Sequence, residues 1–88
     1  MLASSTLMVM SRGSSKDRQS ARERIARHVK RYRQSMGLSQ EKLGELAGFH
    51  RTYVSQLERG VTNISVDNLE SLASVLNVDV SVLLAPAV

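Results

Sequence analysis

The 88-residue chain has no cysteine and no tryptophan, and it has only two tyrosines, one phenylalanine and one proline. The absence of cysteine excludes disulfide bonds, thiolate metal sites and thiol catalysis. Aromatic residues make up 3% of the chain, and no segment keeps the apolar–polar alternation of a half-buried strand. These absences predict an all-α fold whose stability rests on the packing of aliphatic side chains.

Long apolar runs are also missing. A membrane-spanning helix needs roughly 20 consecutive apolar residues, and no segment approaches that length. Residues 7–10 (LMVM) are too short for the core of a signal peptide, and no positive charge precedes them. We therefore expect no membrane association.

Residue patterns typical of catalysis are equally scarce. His28 and His50 have no metal-ligand spacing between them, and no pair of carboxylates is placed for general acid–base catalysis. His28 falls on the basic side of a predicted helix, where we expect a solvated side chain. We expect no enzymatic activity, no metal or nucleotide cofactor and no small-molecule ligand.

Charge is distributed unevenly along the chain. Residues 1–33 hold nine basic and two acidic side chains, and residues 34–59 hold three of each. Residues 60–88 hold three acidic side chains and no basic one. A basic first third indicates either an end that binds a polyanion or an ordinary solvated basic tail. Residues 1–19 have low complexity and no helical stripe, so we expect a flexible basic arm, in which Met8 or Met10 could be the true start.

The first predicted helix opens at Ser20, because residues 20–23 fit a capping box that satisfies free backbone amides. Gly37 is a natural stop for this helix. Four apolar residues at helical spacing form its inward stripe, and cations occupy the opposite face. The stripe consists of Ile25, Val29, Tyr32 and Met36.

Four shorter helices are predicted after it. Ser39 caps the second, and Gly48 supplies the positive φ of a sharp turn before the third, at about residues 50–59. Ser65 caps the fourth, and the fifth spans residues 79–84. The side chains expected to face the core from these helices are Leu43, Leu46, Ala47, Val54, Leu57, Leu69, Leu72, Ala73, Leu76 and Leu83.

The third predicted helix has two different faces. A helical wheel places His50, Val54 and Leu57 toward the core. The opposite face is polar and has no acidic residue at its centre. It consists of Thr52, Ser55, Gln56 and Arg59, with Arg51 beside it at the helix start. Because arginine pairs well with guanine and glutamine with adenine, this face could read bases in the major groove of DNA. An ordinary solvated face is the alternative.

Residues 38–60 (LSQEKLGELAGFHRTYVSQLERG) resemble the Xre/Cro/CI-type helix-turn-helix of bacterial and phage regulators, and the following NIS and LESLA segments continue the resemblance. It covers residues 22–84. The phrases RTYVS and LERG are most similar to the small controller proteins of restriction–modification systems. The resemblance implies a compact five-helix bundle of the lambda-repressor-like DNA-binding type, with a flexible arm at residues 1–19 and a DNA-binding and dimerisation domain at residues 20–88.

The resemblance also implies roles for individual residues. The residues expected to contact base edges are Arg51, Thr52, Ser55 and Gln56, and those expected to contact phosphates are Ser39, Gln40, Tyr53, Arg59 and Asn63. As a carboxylate, Glu58 does not favour phosphate, and we expect an internal ion pair with a cation of the first helix such as Arg22. His50 departs from the family, and it could cap the third helix, contact phosphate or do neither.

Residues 78–88 are rich in valine and leucine. One recognition helix reads too few base pairs to select a site in a genome, whereas two copies about 34 Å apart read a palindrome. We therefore predict a homodimer on double-stranded DNA, with Leu83 in the core and Val80, Val82 and Leu84 at the twofold contact. The alternative is that these residues close the core of the monomer.

The leading hypothesis is a sequence-specific transcriptional regulator located in the cytoplasm at the nucleoid. The alternative of a different class is a protein-interaction module, such as an antitoxin or coactivator with the same fold. Steep salt dependence of duplex binding would favour the first hypothesis, and co-purification with a partner protein would favour the second.

Overall fold

A computed structural model describes residues 19–87, and every regular element in that range is an α-helix. The helices are α1 (Ala21–Ser35), α2 (Gln40–Ala47), α3 (Arg51–Glu58), α4 (Val66–Leu76) and α5 (Val80–Leu84). The predicted all-α fold with five helices is confirmed. The predicted basic arm lies outside the described residues except for Gln19, and so does Val88. None of the helices between residues 19 and 87 is long and apolar enough to cross a membrane.

Each helix begins at a capping residue, and in three cases it is serine. Ser20 accepts from the Glu23 amide while the Glu23 side chain accepts from the Ser20 amide, so both halves of the predicted capping box are present. Ser39 accepts from Lys42 N and Ser65 from Asn68 N. A cap of this kind satisfies a backbone amide that the helix itself leaves free, which contributes about 1 kcal/mol.

The core is aliphatic and receives side chains from all five helices. Leu43, Val54, Leu72 and Leu83 are fully buried, and burial of a side chain of this size stabilises the fold by roughly 1.5–3 kcal/mol. The rest of the core consists of Ile25, Val29, Leu57, Leu69, Ala73 and Leu76. The predicted core of α4 and the predicted burial of Leu83 are therefore confirmed.

Two predicted core residues are instead exposed. Leu46 is 51% exposed, because the buried side of α2 runs from Leu43 to Gly44 and Leu46 lies well round the helix from that side. Met36 is 46% exposed, because it is the C-cap of α1 and the chain turns away from the apolar stripe there.

His28 is buried and not solvated as predicted. Its side chain is 7% exposed, and its Nε2 lies 2.9 Å from the carbonyl oxygen of Ala85. The sequence prediction failed because α5 and the residues after it pack across this side of α1, which is otherwise a basic helix.

The connection between α2 and α3 is a tight turn built on two glycines. Gly48 has φ of +84°, as predicted, and ends α2 in the left-handed region. Gly44 allows the turn to fold back, since Phe49 N donates to Gly44 O at 2.7 Å and a Cβ on Gly44 would lie 2.5 Å from Phe49 O. The two glycines thus bring the start of α3 close to α2.

Candidate nucleic-acid interface

The burial of Val54 and Leu57 determines which side of α3 faces outward. His50 is the N-cap of this helix: its Nδ1 accepts the amide hydrogen of Thr52 at 3.1 Å. Of the three roles left open for His50, capping is the one observed. The wheel was wrong to place His50 toward the core, because a capping residue lies outside the helix, and the side chain is exposed.

A polar groove lies where the start of α2 meets the first turns of α3. Its lining residues are Gln40, Arg51, Thr52 and Ser55. Arg51 and Thr52 are exposed, whereas Gln40 and Ser55 are half-buried. Three predicted base-contacting residues and one predicted phosphate-contacting residue are thus brought together, with no acidic side chain in the lining.

The remaining polar residues of the third helix lie beyond this groove. Gln56 is half-buried, and its backbone oxygen accepts from Val61 N at 3.2 Å. Arg59 is the C-cap of α3 and is exposed. Ser39 is exposed next to Gln40, and its Oγ accepts from Lys42 N at 2.9 Å. Because Ser39 Oγ is the acceptor in this bond, its hydroxyl group can still donate to an anion.

Glu58 forms the expected internal ion pair, but its partner on α1 is Arg33 and not Arg22. Arg33 Nε lies 2.6 Å from Glu58 Oε2, and Gln40 Nε2 donates to Glu58 Oε1 at 3.1 Å. The hydrogen bonds from Arg33 to Glu58 raise the pKa of the guanidinium further above its usual value. Arg22, at the other end of α1, instead donates to Asn63 Oδ1.

The role of Arg33 was missed, although the sequence contains a signal for it. Arg33 follows Val29 by four residues, so it continues the inward side of α1, where a cation needs a buried partner. Through Glu58 it is connected to Gln40, which lines the groove. Arg33 is therefore a positioning residue for the surface formed by α2 and α3.

The loop from α3 to α4 is held by hydrogen bonds to its own neighbours. Tyr53 OH donates to the backbone oxygen of Asn63 at 3.3 Å and accepts from Asn68 Nδ2 at 3.4 Å. The phenol therefore positions the loop, which is a role that sequence reasoning did not find. Asn63 is exposed, with its amide group bonded to Arg22.

The residues predicted for the dimer contact differ in exposure. Val80 and Val82 are half-buried, and Val80 packs partly against the core. Leu84 is 38% exposed and borders an apolar cleft with Ile64, Val66 and Leu69. Val66 was not predicted as part of this surface, although at 73% exposure it is the most exposed large apolar side chain of the described residues.

Comparison with known proteins agrees with this geometry. A helix-turn-helix family model matches residues 29–83, which is more than half of the chain. The chain therefore belongs to the Xre/Cro/CI-type helix-turn-helix family of DNA-binding transcription regulators. The predicted resemblance to this family, and within it to controller proteins, is confirmed.

Particular relatives include controllers of restriction–modification systems and a master regulator. The chain is similar to control protein C.SmaI of Serratia marcescens, with 43% identity over 63 residues that span 72% of this chain and 75% of C.SmaI. The restriction-modification controller C.AhdI of Aeromonas hydrophila shares 35% identity at a TM-score of 0.67, covering 70% of this chain and 94% of C.AhdI. SinR, a master regulator for biofilm formation solved in complex with DNA, shares 40% identity at a TM-score of 0.66, covering 69% of this chain and 98% of that structure.

Proposed function

We propose that this protein is a sequence-specific transcriptional regulator that inserts α3 into the major groove of DNA and binds a palindromic operator as a homodimer. The observation that carries the proposal is the groove lined by Gln40, Arg51, Thr52 and Ser55. Side chains that can bond to bases and to the adjacent backbone converge there from two helices. Such a protein would act at the nucleoid in the cytoplasm.

The proposed contacts fall into two classes. Arg51, Thr52, Ser55 and Gln56 read base edges, with Arg51 suited to guanine and Gln56 to adenine. Phosphate contacts orient the protein on the duplex without reading its sequence. The residues proposed for phosphate are Ser39, Gln40, Tyr53, Arg59 and Asn63. Gln40 is held in place through its bond to Glu58, and Tyr53 would exchange its bond to the Asn63 carbonyl for one to phosphate.

The homodimer is proposed to form through α5 and the start of α4. Leu84 and Val66 are exposed apolar side chains around one cleft, and Val82 is half-buried on α5. Residues 60–88 carry three acidic and no basic side chains, so a surface there is kept away from phosphate. Because Val80 packs partly against the core, its part in the twofold contact is the smallest of the three predicted residues.

The proposal is tested by selecting duplexes from a random pool with the full chain and measuring affinity for the selected sequence. A palindromic consensus, protein dimers on it and a steep fall in affinity with salt are the expected results. Arg27→Ala, which removes an exposed arginine of α1 outside the groove, is the matched control for Arg51→Ala. Enrichment of no consensus, together with co-purification of a protein partner from cells, would instead support the protein-interaction module.

A further inference from the structure

Three side chains bind the backbone at the end of α5. Two of them are on α1, and the third belongs to the residue that precedes its N-cap. We call Gln19, Arg24 and His28 the α5 clasp. Arg24 Nη1 donates to the carbonyl of the last α5 residue at 3.2 Å, and His28 Nε2 lies 2.9 Å from the next carbonyl. Gln19 makes two bonds of 2.9 Å to Ala87: its Nε2 donates to the backbone oxygen, and its Oε1 accepts from the backbone amide. The residues held in this way are Leu84, Ala85 and Ala87.

These bonds are directional, whereas the apolar anchoring of α5 is not. The helix has five residues, and Leu83 is its single fully buried side chain. Apolar contact stabilises α5 against α1 and α4 without selecting one rotation of the helix. Hydrogen bonds require alignment of donor and acceptor. One of the four bonds is to Leu84 and three are to Ala85 and Ala87, so together they restrain the orientation of the end of α5 and of the residues that follow it.

The clasp is also a poor choice for stability alone. Nδ1 of His28 and Nε of Arg24 are buried and have no hydrogen-bond partner among the described residues. A buried polar atom without a partner destabilises the folded state, so an apolar side chain at position 28 would serve the core better. The polar side chains thus add a directional restraint at the end of α5, although two of their nitrogen atoms are buried without a partner among the described residues.

We infer that the α5 clasp sets the distance between the two recognition helices of the dimer and thereby the spacing of operator half-sites. This inference rests on the proposed homodimer. In a pair about 34 Å apart, each α3 lies roughly 17 Å from the twofold axis. A tilt of about 10° on a lever of that length displaces each α3 by about 3 Å, and the twofold axis applies the same tilt to the partner. Where the displacement is directed along the duplex, the separation changes by about 6 Å, nearly twice the 3.4 Å rise of one base pair. Gln19, Arg24 and His28 are positioning residues, and none of them touches DNA in this role.

The test uses the operator selected by the full wild-type chain and versions of it in which the half-sites are one base pair closer or farther apart. A duplex with a single half-site is measured in parallel. We expect wild type to lose about tenfold in affinity for each altered spacing, because geometry then forbids both half-sites from being bound together. The double variant Gln19→Ala/His28→Leu should lose less than about threefold in affinity for the same altered spacings. Its affinity for the single half-site should stay within about twofold of wild type.

Two further variants separate orientation from folding. His28→Gln keeps an amide donor for the Ala85 carbonyl and should retain the wild-type spacing preference. Gln34→Ala removes an exposed α1 glutamine outside the clasp and serves as the matched control. Should the double variant fail to fold in a thermal melt, Gln19→Ala alone decides, since Gln19 lies before α1 and outside the aliphatic core. The Gln19→Ala variant should also lose less affinity than wild type on the altered spacings, by a smaller margin than the double variant.

The outcomes distinguish this inference from the proposal beneath it. If the wild-type chain prefers one spacing and the clasp variants share that preference, the clasp does not set the spacing and only this inference is overturned. If the variants weaken the single half-site and the full operator equally, their effect is on the DNA-reading surface and the inference is again wrong. If wild type binds one half-site as tightly as two, the homodimer proposal fails and the inference fails with it.

Discussion

Arg33 and Glu58 form a two-bonded ion pair between α1 and the last residue of α3. Nε of Arg33 lies 2.6 Å from Oε2 of Glu58, and Nη2 lies 3.0 Å from Oε1. The side chains are 11% and 3% exposed, so water screens this pair little. Arg33 Nη1 also donates to Leu38 O at 2.8 Å, which ties the α1–α2 connection to the same point. One guanidinium thus joins the three helices that shape the proposed DNA surface.

Arg33→Met should destabilise the fold by about 3 kcal/mol, because it leaves the Glu58 carboxylate buried with Gln40 as its remaining side-chain partner. Urea unfolding followed by circular dichroism measures the loss. Arg27→Met removes an exposed cation from the same helix and should stay within about 0.5 kcal/mol of wild type. Equal stability of the two variants would show that the pair contributes nothing to the fold.

Arg51→Ala should relax discrimination at one operator position by ~1–3 kcal/mol, since a guanidinium that reads one base loses its selectivity when removed. Affinities for operators with each base at every position measure this. Arg27→Ala is the matched control, as an exposed arginine outside the groove. An unchanged base preference in the Arg51 variant would exclude its proposed role.

Lys30→Ala should lower affinity equally for all sequences if the basic face of α1 touches phosphate, and it should reduce the slope of log affinity against log salt by about 1. Lys30 is exposed on α1. Titrations of the operator and of an unrelated duplex at several salt concentrations give both quantities. A loss confined to the operator would contradict a phosphate role for this lysine.

Capping residues and apolar spacing predicted all five helices, because both act within a few residues of the chain. The errors over Leu46, Met36 and His50 concern the exact buried side or the end of a single helix. The other two concern contacts between distant segments. His28 is buried because residues 84–87 cover it, and Glu58 pairs with Arg33 because the end of α3 lies against the last part of α1. Local pattern carries no information about which helix covers which face. The polar face of α3 could be predicted together with its buried side, because the positions of both faces follow from the periodicity of one helix.

Gly44→Ala should destabilise the protein by about 2 kcal/mol, although alanine is the better helix former by about 1 kcal/mol. The added Cβ would lie 2.5 Å from the backbone oxygen of Phe49, which cannot move without opening the turn between α2 and α3. Gly48→Ala meets no atom and loses stability through its φ of +84° alone, about 1–2 kcal/mol. Thermal unfolding of both variants tests this. A gain in stability for Gly44→Ala would mean that the turn is looser than the structure shows.

Acid should weaken the N-terminus of α5. The side chain and the backbone amide of Ser81 donate to the Asp79 carboxylate and lower the pKa of Asp79 below its usual value of 3.8. A carboxyl whose pKa is lower in the folded state adds stability above the unfolded-state pKa, and this stability is lost as pH falls through the folded-state pKa. Asp79 therefore stabilises α5 at neutral pH. This contribution is lost as the pH falls from the usual pKa of 3.8 through the lower pKa of the folded state.

Two variants check this dependence. Ser81→Ala removes the largest cause of the shift, so the Asp79 titration midpoint, followed by carboxyl-carbon NMR, should move up toward its usual value. Asp79→Asn keeps a good helix cap that does not titrate, so the amide signals of α5 should lose their response to pH below about 4. An unmoved midpoint in Ser81→Ala would show that the hydroxyl does not hold the carboxylate. Persistence of the pH response in Asp79→Asn would assign it to another group.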